Sequence, residues 1–508
     1  MTSPDAADAR GWRDAWIVTT VAALVRLGFA GWLPLFPDET YYWDWSRHLA
    51  GGYFDHPPMI AVLVRMGTAL AEVLGQGPTP LSVRFFPVVA GFVASLAAAA
   101  IARRLAGGEA ARLAAIVFAL MPLAASGLVL ATPDAPLLAA SACGLYAVVR
   151  AFQAAPASRE SLGWWTLAGA FLGVAFASKY TSILLPLSIT VAVLVRPSLR
   201  GRLREPGPWI ACVVATLVFL PVLRWNAAHD WISFRFQLQH GLGTPSGSAV
   251  AREFDLLGGQ LGLVSPIIFA LMAVAVWGTM RRAQDDPRFA LAVVAVGSWV
   301  FFAWSAMRRR VEANWPAPSY IPGVALLSAM AVVDDRWRRW LRRGIALAAL
   351  IVAVIYLDAI VPILPLPARR DPLARNAGWS ELARTVQAAR DRSVARTWVG
   401  ADRYQDVSEL AFHLRDHPFA LCMCIGGRHN QYELWPAFSQ RAARGDALVL
   451  ALDDTPDVHV TAARLAPYFA SVERGAVSPL MRGSDTVSVR RVWTLRGYRG
   501  GWPPRDER

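Results

Sequence analysis

Two acidic clusters follow the first apolar segment of the chain. One is Asp38-Glu39, within Pro37-Asp38-Glu39-Thr40-Tyr41-Tyr42-Trp43; the other is Asp55, within Tyr53-Phe54-Asp55-His56-Pro57-Pro58. A carboxylate held near a hydroxyl can take its proton as a general base. A carboxylate at a helix start can also simply cap it. Capping accounts for either acid alone, but not for two adjacent acids followed by an Asp-His pair. Asp55 and His56 could supply ligands to a divalent ion, and such a site needs more ligands than two. His240, in Phe236-Gln237-Leu238-Gln239-His240, is a candidate to add one. Asp134 follows a proline in Thr132-Pro133-Asp134-Ala135-Pro136 and reads either as a helix cap or as a fourth site acid.

Cations balance these acids. Lys179 is the only lysine, in Ser178-Lys179-Tyr180-Thr181, while arginine supplies every other basic side chain. Arg308-Arg309-Arg310 forms a compact cluster, and Arg84 stands near the start of an apolar run. Arginine suits two-pronged contact with phosphate oxygens. The three arginines could hold an anion at a membrane face, or snorkel from a helix end.

The elements that carry these groups are apolar. The chain has 508 residues, 55% hydrophobic and 17% charged. That composition excludes an ordinary soluble protein and suits a polytopic membrane protein with one polar region. A bilayer span takes about 20 apolar residues. Candidate spans lie at 15–35, 82–102, 112–131, 135–153, 163–178, 180–195, 208–224, 259–280, 289–306, 317–333 and 344–364. A break at Ser178–Thr181 puts Lys179 at a helix junction. No cleavage site follows the first apolar run, which therefore reads as a retained helix.

Eleven spans with a cytoplasmic N-terminus make every inner loop basic, as the positive-inside rule requires. Arg103, Arg104 and Arg112 lie in one such loop, and Arg336, Arg338, Arg339, Arg342 and Arg343 in another. The same count puts loop 36–81, Asp134, Lys179, His240, Arg308–Arg310 and the polar C-terminus outside. Tyr41, Trp45, His48 and Leu49 share one helical face, the pattern of a helix lying along the membrane interface. The net charge of +14 is read as helix orientation and contact with membrane lipids, not nucleic acid, since no binding motif accompanies it.

Residues 1–366 form the membrane domain, including the loop 36–81, and 367–508 a soluble α/β domain. In the latter, 394–400 and 446–452 read as buried strands, 380–390 and 407–414 as helices. It lacks a glycine-rich phosphate loop, and acceptor recognition or structural capping are its alternative roles. Cys143 and Cys212 sit in apolar segments. Cys422 and Cys424 form a Cys-x-Cys, read as a strand with both thiols on one face.

Taken in order, Asp38-Glu39, Tyr53-x-Asp55-His56-Pro57-Pro58, Thr132-Pro133-Asp134-Ala135-Pro136 and Ser178-Lys179-Tyr180 resemble the membrane glycosyltransferases of GT-C fold. The similar group is the bacterial branch related to protein O-mannosyltransferases and to lipid A aminoarabinose and galacturonic acid transferases. The resemblance spans residues 12–365. It implies a mainly α membrane protein of the bacterial inner membrane, with its site and its C-terminal domain on the periplasmic side. It implies a polyprenyl-phosphate sugar donor and an envelope glycolipid, glycan or protein acceptor. It matches Asp38 to the family's first-loop acid, beside Glu39, and Asp55 and His240 to its metal ligands. His56 stands where a related subgroup carries lysine, beside the donor phosphate.

On this reading Asp38 is the base, with Glu39 and Asp134 as further catalytic acids. Lys179, Arg84, His56 and Arg308–Arg310 stabilise the phosphate. Transfer is by one inverting displacement. The alternative class is a transporter or flippase of lipid-linked sugars, which would also keep charges in a membrane cavity.

Overall fold

The computed structural model describes residues 4–242, 247–282, 285–364, 366–368, 370–425, 428–454 and 462–505. Its contacts divide the chain into two compact units, Met1–Trp32 with Ala50–Ile360, and Leu33–Leu49 with Val361–Arg508. The division falls inside loop 36–81. The segment carrying Asp38 belongs to the C-terminal unit, and the segment carrying Asp55 to the helical one.

The helical unit runs α1 (Pro4–Trp32), α3 (Met59–Val73), α4 (Pro80–Leu120), α5 (Asp134–Gln153), α6 (Arg159–Phe176), α7 (Leu184–Val195) and α8 (Pro206–Ala228). It continues with α9 (Ile232–Leu242), α10 (Ala249–Val264), α11 (Pro266–Arg282), α12 (Asp286–Ala306), α13 (Tyr320–Val333) and α14 (Asp335–Ile360). Helix α2 (Pro37–Ser46) lies in the other unit. Among the described residues six helices are long and apolar enough to cross a bilayer, or eight if each of two bent pairs counts as one span. That makes a multi-pass membrane protein, with fewer such helices than the eleven expected.

Two causes of the difference are visible. Helix α4 is two helical stretches joined across a kink at Ala106 and Gly107, the latter at φ 77°, so it holds expected span 82–102 and, beyond the kink, the part of 112–131 up to Leu120. Glycine accepts that left-handed conformation without a Cβ penalty. Expected span 259–280 is instead two helices, α10 and α11, bent by 102° where Ser265 meets Pro266. Proline removes an N–H and drives the residue before it out of the helical region. The break predicted at Lys179 is present: α6 stops at Phe176, Lys179 is extended, and a 3₁₀ turn covers Tyr180–Ile183.

Small residues set the packing of this unit. Ala15, Ala94, Ala98, Ala102, Ala142 and Val324 are fully buried in its largest core cluster. Lipid tails are as apolar as leucine, so helices in a bilayer associate through close contact between small side chains. A Cβ on Gly169 would come within 2.4 Å of the Ala211 carbonyl, so that glycine sets the approach of α6 to α8.

The C-terminal unit is an α/β fold. Its strands are β1 (Thr397–Ala401), β2 (Leu421–Cys422), β3 (Ala447–Asp453), β4 (Phe469–Arg482) and β5 (Asp485–Tyr498). The sheet order is β2-β1-β3-β5-β4, with β1 parallel to β2 and β3 and the other pairs antiparallel. Central β3 buries Ala447–Leu452, matching its unbroken apolar run. Helix α15 (Trp379–Asp391) buries Leu382, Val386 and Ala389, one stripe at helical spacing. Helix α16 (Tyr404–His413) connects β1 to β2. Strand β2 ends at Cys422, and Cys422 is disulfide-bonded to Cys424. The expected strand with two free thiols on one face is therefore not formed.

Helix α2 packs on α16 within this unit and buries Glu39–Ser46. Tyr41 meets Tyr404 at 4.6 Å and Tyr432 at 5.5 Å between ring centroids, and Trp43 meets Phe412 at 5.1 Å. The aromatic face expected along the membrane interface meets protein instead. An aromatic stripe serves either surface, so its periodicity alone does not distinguish them.

Glu409 of α16 is fully buried, with His413 Nε2 3.2 Å from Oε2, yet neither carboxylate oxygen has a well-aligned hydrogen bond among the described residues. Burial pushes its pKa from 4.5 up to about 7, against the opposing pull of His413 and Thr40. A raised carboxyl pKa means the folded state holds the proton more tightly, so its contribution to stability falls as pH rises through that window. Glu409→Gln is expected to raise the melting temperature at pH 8 by about 2–4 °C and to flatten the pH dependence between about 4.5 and 7. A lower melting temperature at pH 8 would show that the charged form is the stabilising one.

Candidate functional site

The two first-loop acids have different surroundings. Pro37 opens α2, and Glu39 Oε2 accepts from the Phe36 N–H at 3.0 Å, the reciprocal half of a capping box. Glu39 is buried at 1% exposure, so its carboxylate serves the helix start. Asp38 is exposed, and its Oδ1 accepts from the Tyr404 hydroxyl at 2.9 Å. That leaves a solvent-facing carboxylate held by a donor 366 residues away in sequence.

Other polar bonds dock the helix that carries Asp38. Asp44 is completely buried and accepts from Tyr432 Oη at 2.8 Å and from Arg47 at 3.1 Å. Burial pushes the Asp44 pKa up to about 6, and Arg47 and Tyr432 hold it from rising further. Arg47 also donates to the His417 carbonyl at 2.8 Å, Thr40 to Ser408 at 3.0 Å, and the Gln431 N–H to the Tyr41 oxygen at 2.6 Å. Tyr404, Ser408 and Tyr432 were not singled out from sequence as site residues.

In the helical unit three segments are tied together. The Met59 N–H donates to the Ala177 carbonyl at 3.0 Å, joining the Asp55 segment to the end of α6. Tyr180 and Ser233 hydroxyls lie 2.8 Å apart, joining the lysine junction to α9. Gln237 of α9 donates to the Asp55 backbone carbonyl at 2.5 Å, and Phe236 packs on Phe54 at 4.9 Å. Asp55 itself is buried, and α3 starts at Met59, so Asp55 is not its cap.

Asp134 and Lys179 form the ion pair at the centre of this region. Lys179 Nζ lies 2.7 Å from Asp134 Oδ1, and Asn314 Nδ2 donates to Oδ2 at 2.5 Å. The two charged side chains are 10% and 14% exposed. Asp134 is the first residue of α5, where the helix dipole favours a carboxylate. Asn314 is a third member that sequence reading missed.

The remaining cations disperse. Arg84 is fully buried and donates to the Ala30 carbonyl at 3.1 Å, bridging α4 to α1. Arg308 stacks over Trp304 at 4.9 Å, and Arg310 sits exposed 3.6 Å from Glu312. Of the three, Arg309 has a buried Nε with no hydrogen-bond partner among the described residues. Arg252 closes α12 by donating to the Ala306 and Met307 carbonyls at 2.8 and 2.7 Å. Arg26 of α1, also missed, is 1% exposed, with no hydrogen-bond partner for its guanidinium among the described residues. His56 is half-buried beside Asp55. His240 falls on α9, and its side chain lies outside the described residues. Among the described residues, which leave out the His240 side chain, no three His, Cys, Asp or Glu side chains gather as a metal-ligand group.

The chain is similar to several proteins of known kind. A family model described as dolichyl-phosphate-mannose-protein mannosyltransferase matches residues 55–225, which include Asp55, Asp134 and Lys179. Over 408 residues the chain is 28% identical to the lipid A galacturonosyltransferase RgtD of Rhizobium johnstonii, across 78% of this chain and 83% of that protein. ArnT from Cupriavidus metallidurans in the apo state superposes with a TM-score of 0.67 at 19% identity, covering 96% of this chain and 98% of that one. The same protein bound to undecaprenyl phosphate gives 0.66 at 18% identity, covering 96% and 99%. At such identities these two structures establish a shared fold.

Removing one partner of a buried ion pair costs about 3–5 kcal/mol, because the other charge stays behind. Lys179→Met alone is expected to lower stability by that order, and Lys179→Met with Asp134→Asn by clearly less than the two single losses added. Thermal unfolding in detergent measures it; strictly additive losses would mean that the pair is not coupled.

Proposed function

We propose that this protein, a membrane glycosyltransferase of GT-C fold related to the protein O-mannosyltransferases and the lipid A sugar transferases, moves a hexose-type sugar from a polyprenyl phosphate to a glycolipid of the lipid A kind. The relative named as a lipid A galacturonosyltransferase supports the acceptor class and a six-carbon sugar. ArnT bound to undecaprenyl phosphate supports the lipid carrier. The transporter reading gains no such support.

The observation that carries the mechanism is Asp38, exposed on a docked helix and hydrogen-bonded by Tyr404. Asp38 takes the proton of the acceptor hydroxyl as general base. The hydroxyl oxygen forms the new bond to the anomeric carbon while the bond from that carbon to the phosphate oxygen breaks. The electron pair leaves with the polyprenyl phosphate, and the anomeric centre inverts. A phosphate needs no strong acid to leave. Growing charge on it is offset by fixed cations, which need no reorganisation as the bond breaks. Arg309 is our first candidate, since its buried Nε has no hydrogen-bond partner among the described residues. Lys179 is a weaker one, being committed to Asp134.

The site is assigned to the outer face of a bacterial inner membrane, with the N-terminus inside and the C-terminal unit in the periplasm. Basic inner loops support that orientation. So does the Cys422–Cys424 disulfide, since disulfides persist in oxidising compartments.

Purified protein with a radiolabelled polyprenyl-phosphate sugar and a lipid A acceptor tests the reading. Asp38→Asn is expected to abolish transfer while donor binding stays near wild type; normal turnover would remove Asp38 as the base. Tyr404→Phe is expected to lower kcat about tenfold, the order of one lost hydrogen bond to a charged group, with KM little changed. An effect on KM alone would assign Tyr404 to binding instead.

A further inference from the structure

The C-terminal unit contains a pocket of about 210 Å³ that none of the roles above uses. Phe419, Trp435 and Trp502 give it aromatic walls, the Cys422–Cys424 disulfide borders it, and Glu433 and Arg505 supply its charged edge. The walls are held in place. Trp435 packs against His48 at 4.9 Å and Tyr432 at 5.3 Å, and Trp502 packs against Phe438 at 5.0 Å. Rigid aromatic walls with a few fixed polar groups are the build of a small-molecule site, and this one is smaller than the about 300–1,000 Å³ of a drug-sized ligand.

The chemistry of the edge narrows the ligand. Arg505 lies 2.6 Å from Glu433, and His429 Nδ1 lies 2.6 Å from the other Glu433 oxygen. A guanidinium already neutralised by a carboxylate is a poor phosphate trap. Together the two groups offer donors and acceptors side by side, which suits vicinal hydroxyls. An acyl chain would pay to cover that edge, whereas a sugar ring presents hydroxyls on its rim and C–H groups to an indole face.

The pocket also connects to the proposed base. Tyr432 lines it, donates to Asp44 of α2, and packs on Tyr41; Tyr41 packs on Tyr404, which donates to Asp38. A ligand against Tyr432 therefore touches the side chain that docks the acid-bearing helix.

We propose that this pocket binds one pyranose ring of the saccharide acceptor. The word acceptor rests on the glycosyltransferase reading, while the binding of a sugar ring does not. The test titrates the full-length protein in detergent with an unphosphorylated, acyl-free glucosamine disaccharide, read by calorimetry and tryptophan fluorescence. Binding is expected in wild type and in Asp38→Asn, and at least tenfold weaker in Trp502→Ala and in the near-isosteric Glu433→Gln, with melting curves confirming that both variants fold. No binding to wild type, or equal binding by both folded variants, would overturn the proposal. So would displacement of the sugar by octanoate or by a serine-rich peptide that binds more tightly. Variant-sensitive binding in a protein that transfers no sugar would leave the pocket standing and remove the glycosyltransferase reading.

Discussion

Answering charge withdrawn from water shapes both units of this protein, although the buried Arg26 guanidinium has no hydrogen-bond partner among the described residues. Burying an ion costs several kcal/mol even after the surroundings relax. In the helical unit Lys179 is answered by Asp134, and the second Asp134 oxygen by Asn314. The pair joins the start of α5, the junction after α6 and the segment before α13, three places far apart in sequence. In the C-terminal unit Asp44 is answered by Arg47 and Tyr432, which fastens α2 to the region around α16. Polar contacts therefore fix the register of elements that apolar packing alone would leave free to slide.

The two adjacent acids illustrate a division of labour. Glu39 turns back to the backbone at its helix start and is buried. Its neighbour Asp38 points away, stays exposed, and meets a tyrosine hydroxyl. A helix rotates about 100° per residue, so consecutive side chains cannot share a direction. The doublet is thus one buried and one exposed carboxylate, though both readings fitted both residues at the level of sequence.

Local signals were read well from the chain. The expected helix 380–390 is α15, Trp379–Asp391, and the expected strand 446–452 is β3, Ala447–Asp453. The break at Lys179 was visible because 163–195 is long for one helix and short for two. The ordered motifs around Asp55, Asp134 and Lys179 pointed to the right fold. Long-range choices were not legible. Nothing near Tyr404 says that its hydroxyl meets Asp38, and nothing near Asn314 says that it meets Asp134. A hydropathy window averages Arg26 into its apolar neighbours, so a buried guanidinium passed unremarked. The bend at Ser265-Pro266 was missed because apolarity continues through it even though the backbone cannot.

The placement of α2 has a consequence for assembly in time. Tyr404 and Tyr432 follow their α2 partners by 366 and 388 residues. At about 5–20 residues per second of synthesis, the helix waits roughly 20–80 s for the surface that buries it. During that wait Tyr41, Trp43 and Trp45 have no protein to cover them, and a nearby bilayer surface is the natural shelter for such a face. The segment that carries the proposed base is among the first parts of the chain to be made and among the last to be finished. Premature termination late in the chain would thus leave a bundle of membrane helices with Asp38 unheld.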